Sequence, residues 1–297
     1  MEQINTCAIC GKGNFSVYLE SSDYFLSKER FTIVTCDNCE FLFLNPRPDA
    51  VEISNYYKSE EYISHSNTKR GVINKVYHIV RKRNHKKKYN LIQNLKNKGT
   101  LLDIGCATGE FINYCRNNGW TVAGVEPDED AQKFAKTQYN LNVYPESLLK
   151  EIPTNKFDVI SMWHVLEHVH LLEQRIMQLK MYLKNDGVAI IAVPNAACKD
   201  AEIYKEFWAG YDLPRHLYHF TKKSILELFK KNDFALIETI PMKFDSYYIS
   251  MLSEKYKTGT GNVVKAFLNG YKSNRWAKRN NNNYSSQIFI LKKNNVK

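Results

Sequence analysis

The pattern that most constrains the fold of this chain is an alternation of short apolar strands and amphipathic helices that begins at Thr100. Strands are predicted over 100–104, 121–125, 142–144, 157–162 and 188–193, and helices over 109–118, 128–138 and 171–183. Tight turns cannot join parallel strands, so strands separated by helices predict a parallel sheet covered on both faces. The sequence therefore predicts a Rossmann-like, doubly wound α/β domain over 99–297.

The pattern is less regular after residue 194. An aromatic, His-rich loop over 200–222 follows the last parallel strand, and we expect it to form a lid over the site. A helix over 223–231 and strands over 234–239 and 287–292 follow. The stretch 271–283 is rich in Lys and Asn, so we expect a mobile insertion over 254–283.

A glycine-bearing turn follows the first strand, in the sequence TLLDIGCATGEFINYC. A strand, a tight turn and a helix start let backbone N–H groups approach a nucleotide-like cofactor closely. A dinucleotide fingerprint would have glycine where Glu110 stands, which argues against NAD and FAD. The turn is instead an acidic residue followed by three small ones, and Glu126, at the end of the next strand, is placed to accept the ribose hydroxyls. The acid and the small residues are Asp103, Gly105, Ala107 and Gly109.

The segments LLDIGCATGEF, GVEP, FDVISMWHVLEHV and YLKNDGVAIIAVPN occur in this order. In this respect the chain resembles the class I S-adenosylmethionine-dependent methyltransferases, in particular a group with an LEH loop and a PRHLxHF lid. The resemblance covers residues 100–239, and Ala107 departs from it by replacing a glycine. It implies S-adenosylmethionine as cofactor, with the methionine end at the first turn, the ribose at Glu126 and the adenine near 146–148. The implied cofactor-binding residues are Asp103, Gly105, Cys106, Ala107, Gly109, Glu126, Pro127, Ser147 and Trp163.

The string His164-Val-Leu-Glu167-His168 permits several interpretations. Alone, it is an H-x-x-E-H pattern in which two histidines bind zinc and a glutamate activates water, as in a hydrolase. Because it directly follows a parallel strand, His164 or His168 is also a candidate for the base that removes a proton from the acceptor. Some relatives with an acid-x-x-Glu-His string coordinate a divalent metal there, and here His164 replaces the first acid. A packed, purely structural His168 is the remaining alternative.

The predicted lid contains Arg215 and His216 next to several aromatic residues. A guanidinium binds carboxylate or phosphate well, and an imidazole can move a proton, so both are catalytic candidates. Trp208, Tyr211 and Tyr218 either line an apolar acceptor pocket or form the lid's own small core.

Four of the seven cysteines form two CxxC pairs, Cys7 with Cys10 and Cys36 with Cys39. Four thiolates in two tight knuckles predict a tetrahedral structural zinc site with no open coordination position. Residues 1–45 are therefore predicted to be a small zinc-ribbon module, too small to fold without metal. Chelation is expected to unfold it and leave the rest intact.

The net charge of +11 comes from one segment. Residues 69–98 contain eleven Lys or Arg and no acid, within a helical, basic connector predicted over 46–98. This segment is a candidate contact for RNA or for an anionic membrane surface, or else a solvated helix face. Neither a transmembrane segment nor a secretory signal is visible, so a cytoplasmic protein is expected.

The resemblance to the group with the PRHLxHF lid implies methyl transfer from S-adenosylmethionine to the oxygen or carbon of a small acceptor: a sugar, polyketide, quinone-like or lipid-linked metabolite. The alternative is an rRNA or tRNA methyltransferase that uses the ribbon and the basic helix to bind RNA. An HxxEH zinc hydrolase is a remote alternative, and a non-enzymatic adaptor is the fourth. An N/D-P-P-aromatic string, typical of amino-group methyltransferases, is absent from the sequence.

Overall fold

A computed structural model describes residues 1–57 and 72–294. Its strands are β1 (Phe15–Ser22), β2 (Arg30–Cys36), β3 (Leu42–Leu44), β4 (Thr100–Ile104), β5 (Thr121–Val125), β6 (Val143–Tyr144), β7 (Phe157–Trp163), β8 (Leu183–Pro194), β9 (Tyr218–His219), β10 (Phe234–Pro241) and β11 (Ser286–Lys293). Its α-helices are α1 (Val72–Leu95), α2 (Glu110–Asn117), α3 (Glu129–Tyr139), α4 (Leu172–Tyr182), α5 (Lys199–Tyr204), α6 (Lys222–Lys231), α7 (Asp245–Thr258) and α8 (Val263–Ala277).

The central sheet of the described chain has the order β10-β11-β8-β7-β4-β5-β6. The five strands from β8 to β6 are parallel, and β11 pairs antiparallel with both β8 and β10. Apolar runs make these strands because both faces are covered, so that Leu101, Leu102 and Ile160 are fully buried. The predicted α/β architecture with a largely parallel sheet is confirmed, and the ends of the parallel strands form the edge where a ligand can bind.

A smaller antiparallel sheet, ordered β1-β2-β3-β9, contains the N-terminal strands. Its last strand comes from the predicted lid, because Leu42 pairs with His219 and Phe43 with Tyr218. The Leu44 N–H also donates to the Leu217 carbonyl at 2.9 Å. The N-terminal module is therefore built into the body through the lid, and the boundary predicted at residue 45 cuts through a shared sheet and core.

The predicted connector over 46–98 contains a 3₁₀ turn, Glu52–Tyr56, and the helix α1. Residues 58–71 of this connector, which include the first three residues of the basic segment 69–98, lie outside the described residues. The last turns of α1 lie against α2, and they contain Ile92, which is fully buried in the same core cluster as Leu101 of β4. Within the described ranges, no helix has both the length and the apolarity that a membrane crossing requires.

The segment 254–283, expected to be a mobile insertion, contains the end of α7 and all of α8, which form a packed helical hairpin between β10 and β11. Small residues on the inner face let the two helices approach closely: a Cβ on Gly270 would lie 2.9 Å from Tyr247 Cδ1. Ser246, Ser250 and Ser273 are fully buried. The structure therefore corrects the expectation of a mobile insertion. The sequence did not reveal these helices because buried serines do not produce the apolar period by which helices are recognised.

Candidate functional site

The glycine turn lies at the carboxyl end of β4, where Gly105 adopts a left-handed conformation with φ +74°. Its N–H donates to the Val125 carbonyl of β5 at 2.7 Å. Ala107 also has a positive φ, +47°, which a residue with a Cβ adopts at some cost. The chain therefore keeps the tight turn despite having alanine where the pattern has glycine.

Asp103, at the carboxyl end of β4, is buried below the turn and accepts a hydrogen bond from Ser161 Oγ at 2.6 Å. Burial raises its pKa to about 6, against the opposing effects of the Ser161 hydrogen bond and the nearby Lys88 charge. A buried carboxylate with one hydrogen-bond donor favours a second, charged partner. The ammonium group of an amino-acid ligand has the right chemistry for this position.

Glu126 follows β5 and is 9% exposed. Its Oε2 accepts the Ala107 N–H at 2.8 Å, and its Oε1 accepts the Asp128 N–H at 3.1 Å. Two backbone donors fix the carboxylate, while burial raises its pKa. Each oxygen keeps a lone pair for a further donor, so the group is preorganised to accept two vicinal hydroxyls.

Beside Asp103, two aromatic rings hold a cation. Lys88 Nζ of α1 lies 4.3 Å from the ring centroid of Trp163 and 5.4 Å from that of Phe111. Burial lowers the pKa of Lys88, and the negative charge of Asp103 opposes this lowering. The Trp163 indole N–H is buried and has no hydrogen-bond partner in the described part of the chain. The sequence did not reveal Lys88, since it is one base among eleven.

The remaining predicted cofactor residues differ in burial and in the part of the turn that they occupy. Cys106 points into the core: its Sγ would be 2.5 Å from a Cβ on Gly124, and burial raises its pKa. It therefore contributes its backbone to the turn. Pro127 and Ser147 are exposed, Pro127 directly after Glu126 and Ser147 in the 3₁₀ turn Glu146–Glu151 after β6. Gly109 is the N-cap residue of α2, with φ +76°.

The His164–His168 string forms a short turn after β7, with residues 166–168 in a 3₁₀ turn and His164 at φ +58°. His164 and His168 therefore do not lie on one α-helical face, which the H-x-x-E-H zinc arrangement requires. His164 lies between two carboxylates, Nδ1 at 3.4 Å from Glu167 and Nε2 at 3.4 Å from Asp245 of α7. Burial opposes the charged imidazolium, but the two carboxylates raise the His164 pKa to about 10.

Glu167 is fully buried, and both of its carboxylate oxygens lack a hydrogen-bond partner within the described residues. Burial opposes its ionisation, yet His164 lowers its pKa. His216 Nε2 of the lid lies 4.0 Å from Glu167 Oε1, and its Nδ1 contacts the Gly210 carbonyl at 2.9 Å. The structure thus brings the predicted residues of the string and of the lid into one cluster.

His168 completes this cluster, with its ring centroid 4.6 Å from that of His216. Its Nδ1 is 2.8 Å from Tyr57 Oη and 3.0 Å from the Arg215 carbonyl. Burial and the neighbouring His216 lower its pKa to about 4, so His168 is neutral near pH 7. One ligand atom each from Glu167, His168 and His216 lie within 4.8 Å of one another, close enough for a metal ion or a shared proton.

Arg215, predicted to hold an acceptor anion, is buried in ion pairs within the protein. Its Nη2 lies 2.7 Å from Asp212 Oδ1 and 3.0 Å from Asp23 Oδ1, and Nη1 donates to the Tyr56 carbonyl at 3.1 Å. The aromatic residues Trp208, Tyr211 and Tyr218 are also buried, between 2% and 7% exposed. They form the lid's own core, and the guanidinium joins the lid to the N-terminal module.

The four predicted metal ligands Cys7, Cys10, Cys36 and Cys39 converge at the base of the N-terminal sheet. Their sulfur atoms lie within 4.8 Å of one another, with Sγ–Sγ distances of 3.5 Å for Cys7–Cys39 and for Cys10–Cys36. A tetrahedral zinc ion with Zn–S bonds of about 2.3 Å needs sulfurs about 3.8 Å apart. The cluster has the chemistry and nearly the spacing of such a site.

The parallel sheet, the glycine turn and the Glu126 carboxylate together define a Rossmann-like nucleotide-cofactor domain. A family model described as a methyltransferase domain matches residues 75–239, just over half of the chain. The chain therefore belongs to this methyltransferase family.

Two relatives are named ubiquinone biosynthesis O-methyltransferase. The one from Rickettsia canadensis is 29% identical over 142 residues, 45% of this chain and 58% of that protein. The one from Glaesserella parasuis is 28% identical over 165 residues, 49% of this chain and 69% of that protein. The chain thus spans about three fifths of the length of the Rickettsia relative.

Among solved structures, the geranyl diphosphate C-methyltransferase of Streptomyces coelicolor superposes with a TM-score of 0.51 at 14% identity, covering 71% of this chain and 81% of that one. A putative sarcosine dimethylglycine methyltransferase from Galdieria sulphuraria gives a TM-score of 0.50 at 13% identity, covering 73% and 86%. These similarities show the fold.

Proposed function

We propose that this protein transfers a methyl group from S-adenosylmethionine to a hydroxyl group of a small, quinone-like acceptor. The observation that carries the proposal is the meeting of two features at the carboxyl edge of the sheet. The glycine turn faces the His164–Glu167 loop so closely that a Cβ on Gly105 would lie 2.4 Å from Val165 Cγ2. The cofactor turn and the acid–base cluster are therefore direct neighbours.

The residues at the turn fit this cofactor. Asp103 offers a buried carboxylate to an ammonium group, Glu126 offers two fixed acceptors to ribose hydroxyls, and Gly105 lets the backbone approach. Trp163 and Phe111 already hold the cation of Lys88, and the same rings suit a sulfonium. When bound, S-adenosylmethionine supplies an activated methyl group.

The cluster's part is to orient the acceptor and take its proton. Both Glu167 oxygens are buried without hydrogen-bond partners among the described residues, so an acceptor hydroxyl would satisfy one of them. His164, charged between Glu167 and Asp245, holds the carboxylate in place. His216 is the proton acceptor in this proposal, with its Nε2 4.0 Å from Glu167 Oε1 and 3.9 Å from Asp212 Oδ2. The O-methyltransferase names of the relatives support oxygen as the methylated atom.

A divalent cation is a second candidate for the same cluster. Glu167, His168 and His216 present three ligand atoms within 4.8 Å, a carboxylate and two imidazoles. Such a cation would polarise an acceptor hydroxyl and lower its pKa. At the N-terminal module, we propose zinc as the ion bound by the four cysteines, in a purely structural role.

A small acceptor is favoured over RNA because the cluster is enclosed: Glu167 is fully buried and His216 is 9% exposed. An RNA base would have to enter this enclosed site. The basic segment 69–98 also has a role other than a surface contact, since Lys88 reaches Trp163. Binding of RNA or of an anionic membrane through 69–98 remains the alternative role of its exposed bases.

The cofactor assignment is tested by calorimetric titration with S-adenosylhomocysteine. We expect saturable binding that weakens about tenfold or more in Asp103→Asn and Glu126→Gln, because each loses a charge-assisted hydrogen bond. Glu129→Gln, an exposed carboxylate in the first turn of α3, is the matched control and should bind as wild type. Folded protein that does not bind S-adenosylhomocysteine would refute the proposal.

The acceptor is tested with labelled S-adenosylmethionine and a panel of phenols, catechols and hydroquinones. Label in an ether product that depends on Glu167 supports O-methylation by this cluster. Label in a nucleic acid, and none in any small molecule, would establish the RNA alternative instead.

A further inference from the structure

The outer face of the α7–α8 hairpin presents an unusually apolar surface. Its large side chains are between 45% and 74% exposed. They include Phe244 at the N-cap of α7, Tyr248 and Met251 along α7, and Val264, Phe267 and Leu268 along α8. The side chains of Phe244, Tyr248 and Phe267 are each more than half exposed. Because an aromatic side chain has about 150–250 Å² of surface, these three present on the order of several hundred Å² of apolar surface. That is as large as the largest patch of an ordinary monomer.

The amphipathicity of this hairpin is inverted. Its inner face is small and polar: Ser253 Oγ accepts the Ala209 N–H at 2.9 Å, Ser273 Oγ donates to Asp200 at 2.6 Å, and Asn269 donates to the Tyr204 hydroxyl at 3.0 Å. A surface helix of a soluble domain normally buries its apolar stripe and exposes its polar one. Here the polar side holds the hairpin on the lid, and the apolar side faces outward.

The charge around the apolar face is strongly positive. Residues 243–279 contain eight Lys or Arg, all exposed, and two acids. Glu254 is fully buried and offsets one of these charges, because its Oε1 lies 3.4 Å from Lys265 Nζ, while Asp245 pairs with His164. Seven bases therefore have no acid of the hairpin beside them in the described part of the chain. Lys87 of α1 extends the basic surface, with its Nζ 4.5 Å from the Phe244 ring centroid. A second copy of the chain would bring the same charge to the contact, so repulsion opposes self-association through this face.

We propose that the α7–α8 hairpin is the surface by which this protein binds an anionic lipid bilayer. An apolar face bordered by Lys and Arg is the arrangement of helices that lie in a bilayer interface, with the rings among the acyl chains and the bases at lipid phosphates. Asp245, in the first turn of α7, is 3.4 Å from His164, so docking places the His164–Glu167 cluster beside the membrane. A lipid-soluble acceptor would then reach the cluster directly from the bilayer. This consequence rests on the proposed function, whereas the docking itself is independent of it.

The test is co-sedimentation of the full chain with vesicles of phosphatidylcholine, alone or mixed with phosphatidylglycerol, without cofactor. We expect binding to the mixed vesicles that weakens as salt rises. Val264→Ser with Leu268→Ser should reduce the partition coefficient about tenfold or more, since two apolar side chains are lost from the interface. This pair keeps Phe267 and its stacking on Tyr247. Lys257→Glu with Lys272→Glu should reduce it similarly.

The matched control is Met177→Ser with Met181→Ser, two exposed apolar residues of α4 that should not affect vesicle binding. S-adenosylhomocysteine binding that is retained in the hairpin variants shows that these variants are folded. An Asp103→Asn variant that loses S-adenosylhomocysteine binding but still binds vesicles separates the docking proposal from the proposed function. Three results would overturn the docking surface: no binding of wild type to the mixed vesicles, hairpin variants that bind as wild type, or a concentration-dependent dimer that the hairpin variants abolish.

Discussion

Arg215 and Asp23 form a buried ion pair with Nη2 3.0 Å from Oδ1, although 192 positions separate them in the chain. Asp23 is inaccessible to solvent, and it also accepts the backbone N–H groups of Phe25 and Ser27 at 3.0 and 2.8 Å. Burial opposes its ionisation, but Arg215 lowers the Asp23 pKa. The pair joins the N-terminal module to the lid, next to the cluster that contains His216.

Removing the guanidinium should therefore destabilise the whole fold. We expect Arg215→Gln to lower the free energy of unfolding by about 3–5 kcal/mol, because Asp23 and Asp212 lose their buried counter-charge. Urea denaturation measures this loss. Arg30→Gln removes an exposed pair of the same 3.0 Å length, with Glu20, and should cost less than about 1 kcal/mol. Equal losses in the two variants would contradict a structural role for the Arg215 pair.

Metal removal should affect the lid as well as the cysteine module. In the separate-module hypothesis, chelation unfolds residues 1–45 and leaves the body intact. Since β9 completes the N-terminal sheet, we expect chelation or Cys39→Ser to increase amide hydrogen exchange over 216–220 too. Hydrogen exchange with mass spectrometry resolves both regions. Cys115→Ser, a buried cysteine outside the cluster, is the control, and fast exchange confined to 1–45 would support the separate module instead.

The pKa of Asp103 predicts a pH-dependent stability of the cofactor-free protein. Its ordinary value of 3.8 rises to about 6 in the fold, so between these values the folded state keeps a proton that the unfolded chain has released. The free energy of unfolding should fall as pH rises from about 4 to about 6, by on the order of 2 kcal/mol, and this fall should be absent in Asp103→Asn. Chemical denaturation at a series of pH values measures it.

Asp158 is the control with the opposite sign, since hydrogen bonds from Lys184 and Thr100 lower its pKa in spite of burial. It contributes stability above pH 4 that is lost as the pH falls through its folded pKa. Asp158→Asn should therefore lose stability at neutral pH, whereas Asp103→Asn should not. The same pH dependence in Asp103→Asn and wild type would show that Asp103 does not titrate in this window.

Glu167→Gln should stop the reaction without preventing cofactor binding. The amide keeps the shape of the side chain but cannot hold the charged His164 or support proton transfer to His216, so we expect kcat to fall about 10²–10⁴-fold. S-adenosylhomocysteine affinity should stay near that of wild type. Glu173→Gln, at the surface pair with Lys231, is the control. Unchanged turnover in Glu167→Gln would remove the cluster from the mechanism.

The sequence predicted the parallel strands well because their apolar runs are short and are bounded by polar or turn-forming residues: 100–104 and 121–125 match β4 and β5 at both ends. It also predicted that Glu126 would follow β5. These features are local, so a short window contains the information that determines them.

Contacts between distant segments were not predictable in the same way. The pairing of β9 with β3 depends on residues far apart, and β9 has only two residues. A charge pattern cannot show whether Arg215 binds a ligand or another part of the chain. Nor can it show that Lys88 reaches Trp163. The α7–α8 hairpin was not predicted because its buried serines resemble the polar residues of a solvated loop in the sequence.

The strand β9 also affects how the protein is made. Ribosomes produce β1, β2 and β3 early, but the N-terminal sheet keeps an open edge at β3 until residue 219 has been synthesised. An unpaired strand edge is a template for pairing with other chains. During that interval the β1–β2 and β2–β3 ladders hold the nascent sheet together, and a metal ion captured by the four cysteines would add a local restraint against misassembly while β4–β8 are still being synthesised.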